Sequence, residues 1–343
     1  MKKSVVLGTL AVTGLAGAAW AQDQAGTTLS QVRERGALNC GVNPGLTGFA
    51  APDAQGVWGG FDVDLCRAIA AAALGDAEAV NYVPLSGETR FTALASGEVD
   101  VLARNSTWTY SRDTDLNLEF VAVNYYDGQG FLAPKALGVT SATELDGATV
   151  CIQSGTTTEL NLADFFRVNN ITYEPVPIAN DAEGRQQYLA GACDVYTTDA
   201  SGLASVRTSF EAPDDHVILP EIISKEPLGP AVRHGDNDWA DLVRWTYYTL
   251  VSAEELGITQ ANVAEMAAAP GNNPEINRLL GTEDEMGSMM GLDPDWAVNV
   301  ITAVGNYGEI FERHLGESTP IGLARGLNAL WTQGGLQYAP PFR

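Results

Sequence analysis

Strand-like and helix-like segments alternate along two stretches of this 343-residue chain. Each stretch has three predicted strands with a helical pattern between consecutive strands: 38–42, 80–83 and 99–103, then 149–152, 171–176 and 193–199. This order favours parallel strands joined by right-handed crossovers. We therefore expect an α/β protein with two bodies. In sheets of this kind, ligands gather at the carboxyl ends of the strands.

A dense set of hydrogen-bond donors follows strand 99–103, at its carboxyl end. Six polar residues lie close together there: Asn105, Ser106, Thr107, Thr109, Ser111 and Arg112. Arginine presents a planar fork that matches a carboxylate, and neighbouring hydroxyls can bind the remaining lone pairs. The run is therefore predicted to bind a carboxylate. The alternative is a polar loop in which Arg112 pairs with Asp113 or Asp115.

Residues 1–21 have the pattern of a secretory signal peptide. Lys2 and Lys3 precede an uncharged run over 5–19, and Ala19-Trp-Ala21 is a small-x-small cleavage pattern. The alternative is an uncleaved membrane anchor, but the apolar run is too short for a comfortable membrane span. We expect the mature chain to lie outside the cytoplasm.

The formal net charge of −24 restricts the possible partners. So acidic a chain repels nucleic acid and anionic membrane surfaces, and we expect neither as a partner. A local cluster of donors can still attract an anion, because distant charges are screened. The histidines stand far apart without ligand spacing, so we expect no metal site and no cofactor: His216, His234 and His314.

The four cysteines allow three pairings in an oxidising compartment. Two precede residue 70 and two lie in the middle third of the chain. We therefore predict disulfides between Cys40 and Cys66 and between Cys151 and Cys193. Four buried free thiols are the alternative.

Two further polar features follow predicted strands of the second stretch. Thr156 and Glu159 have the spacing of a capping box, so the amides of 154–158 would point from a helix N-terminus, which favours negative groups. Plain helix capping is the alternative. Asp199 ends strand 193–199 and is suited to an ammonium group, or else caps the helix that follows. Phe49, on a glycine-flanked loop, forms either a pocket wall or part of a small core.

Six characteristic stretches are spread over almost the whole mature chain: Gly60-Phe-Asp-Val-Asp-Leu65, Arg104-Asn-Ser-Thr-Trp-Thr-Tyr-Ser-Arg-Asp113, Tyr125-Tyr-Asp-Gly-Gln-Gly-Phe131, Ser154-Gly-Thr-Thr-Thr-Glu-Leu160, Cys193-Asp-Val-Tyr-Thr-Thr-Asp199 and Gly334-Gly-Leu-Gln-Tyr-Ala-Pro-Pro341. Together they resemble the periplasmic amino-acid-binding proteins of ATP-driven importers, solute-binding protein family 3. The resemblance is strongest to the general L-amino-acid-binding type of that family, which takes glutamate, glutamine, aspartate and asparagine.

The resemblance implies a type II periplasmic-binding-protein fold, in which two α/β lobes are joined by a two-strand hinge. We expect the hinge near 125–128 and 225–229. Lobe I would comprise 22–125 and 229–343, and lobe II 126–228. Ordinary members lack much of the region after about residue 254, which here predicts an extended helical C-terminal region of lobe I.

The resemblance also implies a site for one amino acid. The residues that match the family's carboxylate ligands are Arg112, Thr107, Asn105 and Thr157. Asp199 matches the ammonium ligand. Residues expected around the side chain are Phe49, Arg104, Arg90, Ser154 and Thr156. A free amino acid is a zwitterion and needs a fixed cation and a fixed anion, which Arg112 and Asp199 would supply when the lobes close.

The implied function is a monomeric, non-enzymatic periplasmic carrier that passes L-amino acids to inner-membrane ABC permease subunits. One alternative is an exported enzyme similar to the cyclohexadienyl dehydratases, which share the fold. It would need a general acid or base, and only Asp199 and Glu88 are expected near the site, without a histidine. The other alternative is a sensor module that presents its closed form to a membrane receptor.

Overall fold

A computed structural model describes residues 27–284 and 286–343. The predicted signal peptide, 1–21, lies outside the described residues. The strands are β1 Leu38–Val42, β2 Ala51–Pro52, β3 Trp58–Gly59, β4 Val80–Pro84, β5 Val101–Leu102, β6 Leu118–Phe120, β7 Tyr125–Asp127, β8 Gln129–Pro134, β9 Ala148–Gln153, β10 Tyr173–Ile178, β11 Val195–Asp199, β12 His216–Ile218, β13 Glu226–Leu228 and β14 Ala231–Arg233.

Twelve α-helices accompany these strands in the described part of the chain. They are α1 Thr28–Arg35, α2 Phe61–Leu74, α3 Arg90–Ser96, α4 Tyr110–Asp115, α5 Thr157–Asn169, α6 Asp181–Leu189, α7 Ala200–Thr208, α8 Asn237–Glu255, α9 Val263–Ala268, α10 Pro274–Leu279, α11 Trp296–Val304 and α12 Tyr307–His314. Short 3₁₀ helices cover Lys135–Leu137, Ala142–Glu144, Pro213–Asp215, Met286–Met290, Gly326–Asn328 and Trp331–Gln333. Within the described residues, none of the helices has the length and apolar character that a membrane span requires.

The strands form two five-stranded sheets, one in each lobe. The first has the order β4-β1-β5-β14-β6, and β1 pairs in parallel with β4 and β5. The second has the order β10-β9-β11-β8-β12, and β9 pairs in parallel with β10 and β11. In both sheets the remaining strands pair antiparallel. The prediction of an α/β protein with two lobes is confirmed.

Two short strands connect the lobes and pair with each other. β7 and β13 are antiparallel, with Tyr125 opposite Leu228 and Asp127 opposite Glu226. This ribbon confirms the two-strand hinge. Gly229 follows it, and a Cβ atom there would lie 2.0 Å from the carbonyl oxygen of Ala122. Only glycine therefore fits where the chain leaves the hinge.

From its sequence the run 125–133 would be interpreted as a connection between the two bodies, whereas the structure has a strand, β8, from Gln129 onward. β8 lies inside the second sheet, between β11 and β12, and Gln129, Gly130, Phe131, Leu132 and Ala133 are all buried. A strand buried on both faces lacks the polar–apolar alternation by which half-buried strands are recognised. Gly128 and Gly130 also weaken its strand signal.

Both predicted disulfides are confirmed. Cys40 in β1 bonds to Cys66 in α2, with Cα atoms 6.1 Å apart. Cys151 in β9 bonds to Cys193, just before β11, with Cα atoms 5.6 Å apart. Each disulfide therefore fixes a strand of one lobe that leads toward the space between the lobes.

The C-terminal region is helical, as predicted, and it packs against α2. α8 and α11 contact α2, and their apolar side chains join the same hydrophobic core as those of α2. Gln337, in the irregular end of the chain, is buried and accepts a hydrogen bond from the Tyr247 hydroxyl. Its amide nitrogen donates to the Tyr307 hydroxyl at 3.2 Å. The end of the chain is thus tied into the core.

Candidate functional site

A small cleft lies between the lobes. Its lining combines positive, neutral and negative polar side chains from both sides of the hinge: Arg90, Arg104, Asn105, Thr107, Gln153, Thr156, Thr157, Thr158, Thr198 and Asp199. The strands β5, β9 and β11 end at this cleft, because residues 103–107, 154–158 and 199 follow or end them. The structure therefore brings together most of the residues predicted for the site.

Arg112 lies beside this lining, in α4. Its side chain is buried, with the residue 7% exposed. The Nη1 group donates to the Thr107 carbonyl oxygen at 2.9 Å, and the guanidinium carbon lies 4.9 Å from the centre of the Phe91 ring. Among the described residues it makes no ion pair with Asp113 or Asp115. Burial lowers the pKa of Arg112 to about 10, and the Glu226 carboxylate opposes that fall.

Phe49 belongs to the core of lobe I and does not line the cleft. It is 1% exposed and packs edge-on against Tyr125, with ring centres 5.5 Å apart, and against Phe61 at 6.1 Å. The structure thus matches the alternative of a core residue. Ser154 also lies outside the cleft lining.

Two buried arginines of lobe I carry unused donors. Arg104 donates from Nε to the Leu85 carbonyl at 3.0 Å, while its Nη2 has no partner in the described part of the chain. Arg90 donates from Nη1 to the Ser106 hydroxyl at 3.1 Å, and its Nε is likewise unpartnered. Burial lowers the pKa of both groups, and for Arg90 the positive charges of Arg104 and Arg112 lower it further. Buried cations with free donors favour an anionic or amide group between them.

Asp199 is the acidic counterpart on lobe II. It precedes α7, yet its side chain makes no capping hydrogen bond with that helix, which contradicts the helix-cap alternative. The residue is 7% exposed. Burial raises the pKa of Asp199 well above 3.8, and the negative charges of Asp127 and Glu226 raise it further. A cation placed beside this carboxylate would relieve both effects.

The start of α5 differs from the predicted capping box. Thr156 is the N-cap residue, but its side chain accepts no hydrogen bond from a backbone amide of the helix; its hydroxyl donates to the Gln153 carbonyl at 2.6 Å and lies 2.6 Å from the Thr158 hydroxyl. A Glu159 carboxylate oxygen accepts from the Gly155 amide at 3.2 Å instead. The prediction of a Thr156–Glu159 box is therefore wrong, because both side chains bond to the preceding turn.

Among the residues that were not predicted from the sequence are Gln153 and Thr198, which line the cleft, and Glu226 and Asn43, which bond to residues of its lining. Glu226, in β13, is 1% exposed and accepts hydrogen bonds from Thr107 of lobe I and from Thr157 of lobe II, the latter at 2.9 Å. Asn43, after β1, donates to Asn105 at 3.2 Å. An acidic residue in an otherwise apolar hinge strand was the available signal for Glu226. The loop position of Asn43 carried none.

In the described ranges, no group of three His, Cys, Asp or Glu side chains is arranged to hold a metal ion.

The sequence of the chain matches a known family and several of its members. The model of the bacterial extracellular solute-binding proteins, family 3, matches residues 38–261. The chain is 68% identical to the glutamate/glutamine/aspartate/asparagine-binding protein BztA of Rhodobacter capsulatus, over 100% of both chains. It is 61% identical to the general L-amino acid-binding periplasmic protein AapJ of Rhizobium johnstonii, over 92% of this chain and 93% of AapJ.

A solved structure gives the same result. The ABC transporter periplasmic binding protein of Brucella ovis with glutathione bound is 56% identical, with a TM-score of 0.90, over 93% of this chain and 100% of that one. Fold, cleft and sequence therefore agree, and the chain belongs to the bacterial extracellular solute-binding proteins of family 3.

Proposed function

We propose that the chain is a periplasmic receptor that encloses one L-amino acid between its lobes and delivers it to an ABC importer. The observation that carries this proposal is the placement of three buried arginines of lobe I, Arg112, Arg104 and Arg90, around a cleft that the buried Asp199 of lobe II also lines. That arrangement complements a zwitterion, which needs a cation and an anion a few ångströms apart.

The roles proposed for individual residues follow from this polarity. Arg112, Thr107, Asn105 and Thr157 bind the ligand's carboxylate, and Asp199 binds its ammonium group. The ligand's side chain extends toward the other two arginines and the start of α5, where the surrounding residues are Arg90, Arg104 and Thr156. Lobe I comprises 22–125 and 229–343, and lobe II comprises 126–228.

The proposed ligands are glutamate, glutamine, aspartate and asparagine. Arg104 Nη2, which has no hydrogen-bond acceptor among the described residues, supports this class. A side-chain carboxylate or amide of the ligand would supply an acceptor oxygen. The relatives BztA and AapJ, whose names describe them as amino-acid-binding proteins, support this class as well.

We infer that the chain binds its ligand without chemical change, as a monomer, and that its partners are inner-membrane permease subunits. Among the described residues that line the cleft there is no histidine, and the one carboxylate, Asp199, has a proposed role in binding. Turnover of prephenate or arogenate would instead indicate the dehydratase-like enzyme. Capture of a receptor rather than a permease would indicate the sensor.

Calorimetric titration of the purified chain tests the proposal. The titrants are the four amino acids and, because the Brucella ovis relative holds it, glutathione. We expect micromolar or tighter binding of at least one amino acid, and its loss in Arg112→Ala. The matched control is Arg167→Ala, an exposed arginine paired only with Asp164. Failure of every amino acid to bind would contradict the proposal.

A further inference from the structure

Glu226 joins the two lobes through one carboxylate. Its Oε2 accepts hydrogen bonds from the hydroxyls of Thr107, in lobe I, and Thr157, in lobe II. Its Oε1 accepts from Asn161 Nδ2 at 2.6 Å and from the Ser224 hydroxyl at 2.7 Å. A protein carboxylate thus takes donors from both sides of the cleft, at the hinge.

The two threonines cannot serve Glu226 and a ligand at once. Each hydroxyl carries a single proton and donates one hydrogen bond. While both protons point at Glu226, neither is available to another carboxylate. A second carboxylate beside them would also meet the negative charge of Glu226 at close range, in a site where burial weakens screening.

The geometry allows Glu226 to release these hydroxyls and stay bonded. Asn161 and Ser224 both contact Oε1, whereas the two threonines both contact Oε2. The two threonine hydroxyls can therefore turn away from Oε2 while Asn161 and Ser224 still hold Glu226 through Oε1.

We propose that the Glu226 carboxylate is an internal stand-in for the ligand's carboxylate, which holds Thr107 and Thr157 together when no ligand is bound and must be displaced for a ligand to bind. This inference rests on the proposed function, which assigns the same two hydroxyls to the ligand. Glu226 thus weakens the affinity for the ligand, whereas Asp199 strengthens it by binding the ammonium group.

Glu226→Gln tests the inference by removing the charge and keeping the shape. Losing a charged competitor for two hydroxyls should lower the Kd for L-glutamate about tenfold in calorimetry, the scale of one charge-assisted hydrogen bond. Glu174→Gln is the matched control, because Glu174 is exposed on β10. An unchanged or higher Kd in folded Glu226→Gln would overturn the inference, since it would make Glu226 neutral or a ligand of the ammonium group.

Asn161→Ala provides a second test that keeps the Glu226 charge and both threonines. Removing one of the two hydrogen bonds to Oε1 loosens Glu226, and the Kd should fall about threefold. An unchanged or higher Kd in this variant would also count against the inference.

Small-angle X-ray scattering without ligand adds a measurement that does not depend on ligand binding. The radius of gyration of Glu226→Gln should exceed that of the wild type, because the lobes lose their shared acceptor. If no amino acid binds even the wild type, the proposed function fails, and an unchanged radius of gyration would then overturn this inference separately.

Discussion

Asn43 of lobe I donates from Nδ2 to Asp181 Oδ2 of lobe II at 3.2 Å, and this side-chain hydrogen bond joins the lobes beside the cleft. Asp181 is held ready for it, because its other oxygen accepts from the Tyr196 hydroxyl at 2.9 Å. The bond depends on closure, because Asn43 follows a strand of the first sheet and Asp181 begins a helix packed on the second. Closure of the lobes therefore uses contacts outside the proposed ligand site.

Asn43→Ala should raise the Kd for the bound amino acid about fivefold, because it removes a hydrogen bond made only after the lobes close. Stopped-flow kinetics should place the effect in faster dissociation with little change in association. Asn299→Ala, on α11 away from the cleft, should leave both rates unchanged. An effect confined to association would show that Asn43 acts before closure.

Asp199→Asn should stabilise the ligand-free protein at neutral pH and abolish ligand binding. The folded state raises the pKa of Asp199 well above 3.8. The contribution of Asp199 to the free energy of unfolding is therefore fully present below pH 3.8 and is lost as the pH rises through the raised pKa. The variant removes the cost of ionisation. Its Tm should exceed that of the wild type by roughly 3 °C at pH 7.5 and match it at pH 4.

Thermal unfolding followed by circular dichroism measures this difference. Asp115→Asn, an exposed position at the end of α4, is the control and should shift Tm little at either pH. A Tm for Asp199→Asn below that of the wild type at pH 7.5 would mean that the Asp199 charge is already compensated inside the protein.

Arg104→Met should weaken L-glutamate binding more than L-glutamine binding. The unpartnered Nη2 group would form a charge-assisted pair with a side-chain carboxylate and a weaker bond with an amide. We expect roughly 100-fold and tenfold rises in Kd, respectively. Calorimetry on both ligands checks this, with Arg167→Met as the surface control. Equal rises in Kd for the two ligands would contradict a role for Arg104 in recognising the ligand's side chain.

Gly229→Ala should destabilise the hinge. Its methyl group would lie 2.0 Å from the Ala122 carbonyl oxygen, a backbone atom that can yield only if the strand ends move. Overpacking of this kind costs about 3 kcal/mol of the free energy of unfolding. Gly59→Ala is the matched control, because no neighbouring heavy atom lies within 4 Å of a Cβ there. Chemical denaturation measures both, and equal stabilities would refute the close packing at the hinge exit.

Most of the fold could be predicted because its elements carry local signals. The predicted strand 38–42 coincides with β1, and the predicted strand 193–199 ends at the same residue as β11, Asp199. β8 was missed because a strand buried on both faces reads as a plain apolar run next to glycines.

The site was predictable only where its residues follow strand ends. Asn105, Thr107 and Asp199 were found in this way, because the carboxyl ends of strands meet in the cleft. Glu226 was not, since its partners Thr107 and Thr157 lie 119 and 69 positions away in the chain. Contacts at such separations depend on how the lobes meet, and no local pattern encodes them.

A crystal structure of the chain with L-glutamate tests the central claim most directly. The account predicts one amino acid between the lobes, with its carboxylate within hydrogen-bonding distance of Arg112 and its ammonium group within hydrogen-bonding distance of Asp199. Glutamate bound elsewhere, or bound in the cleft with its ammonium group turned away from Asp199, would contradict the account.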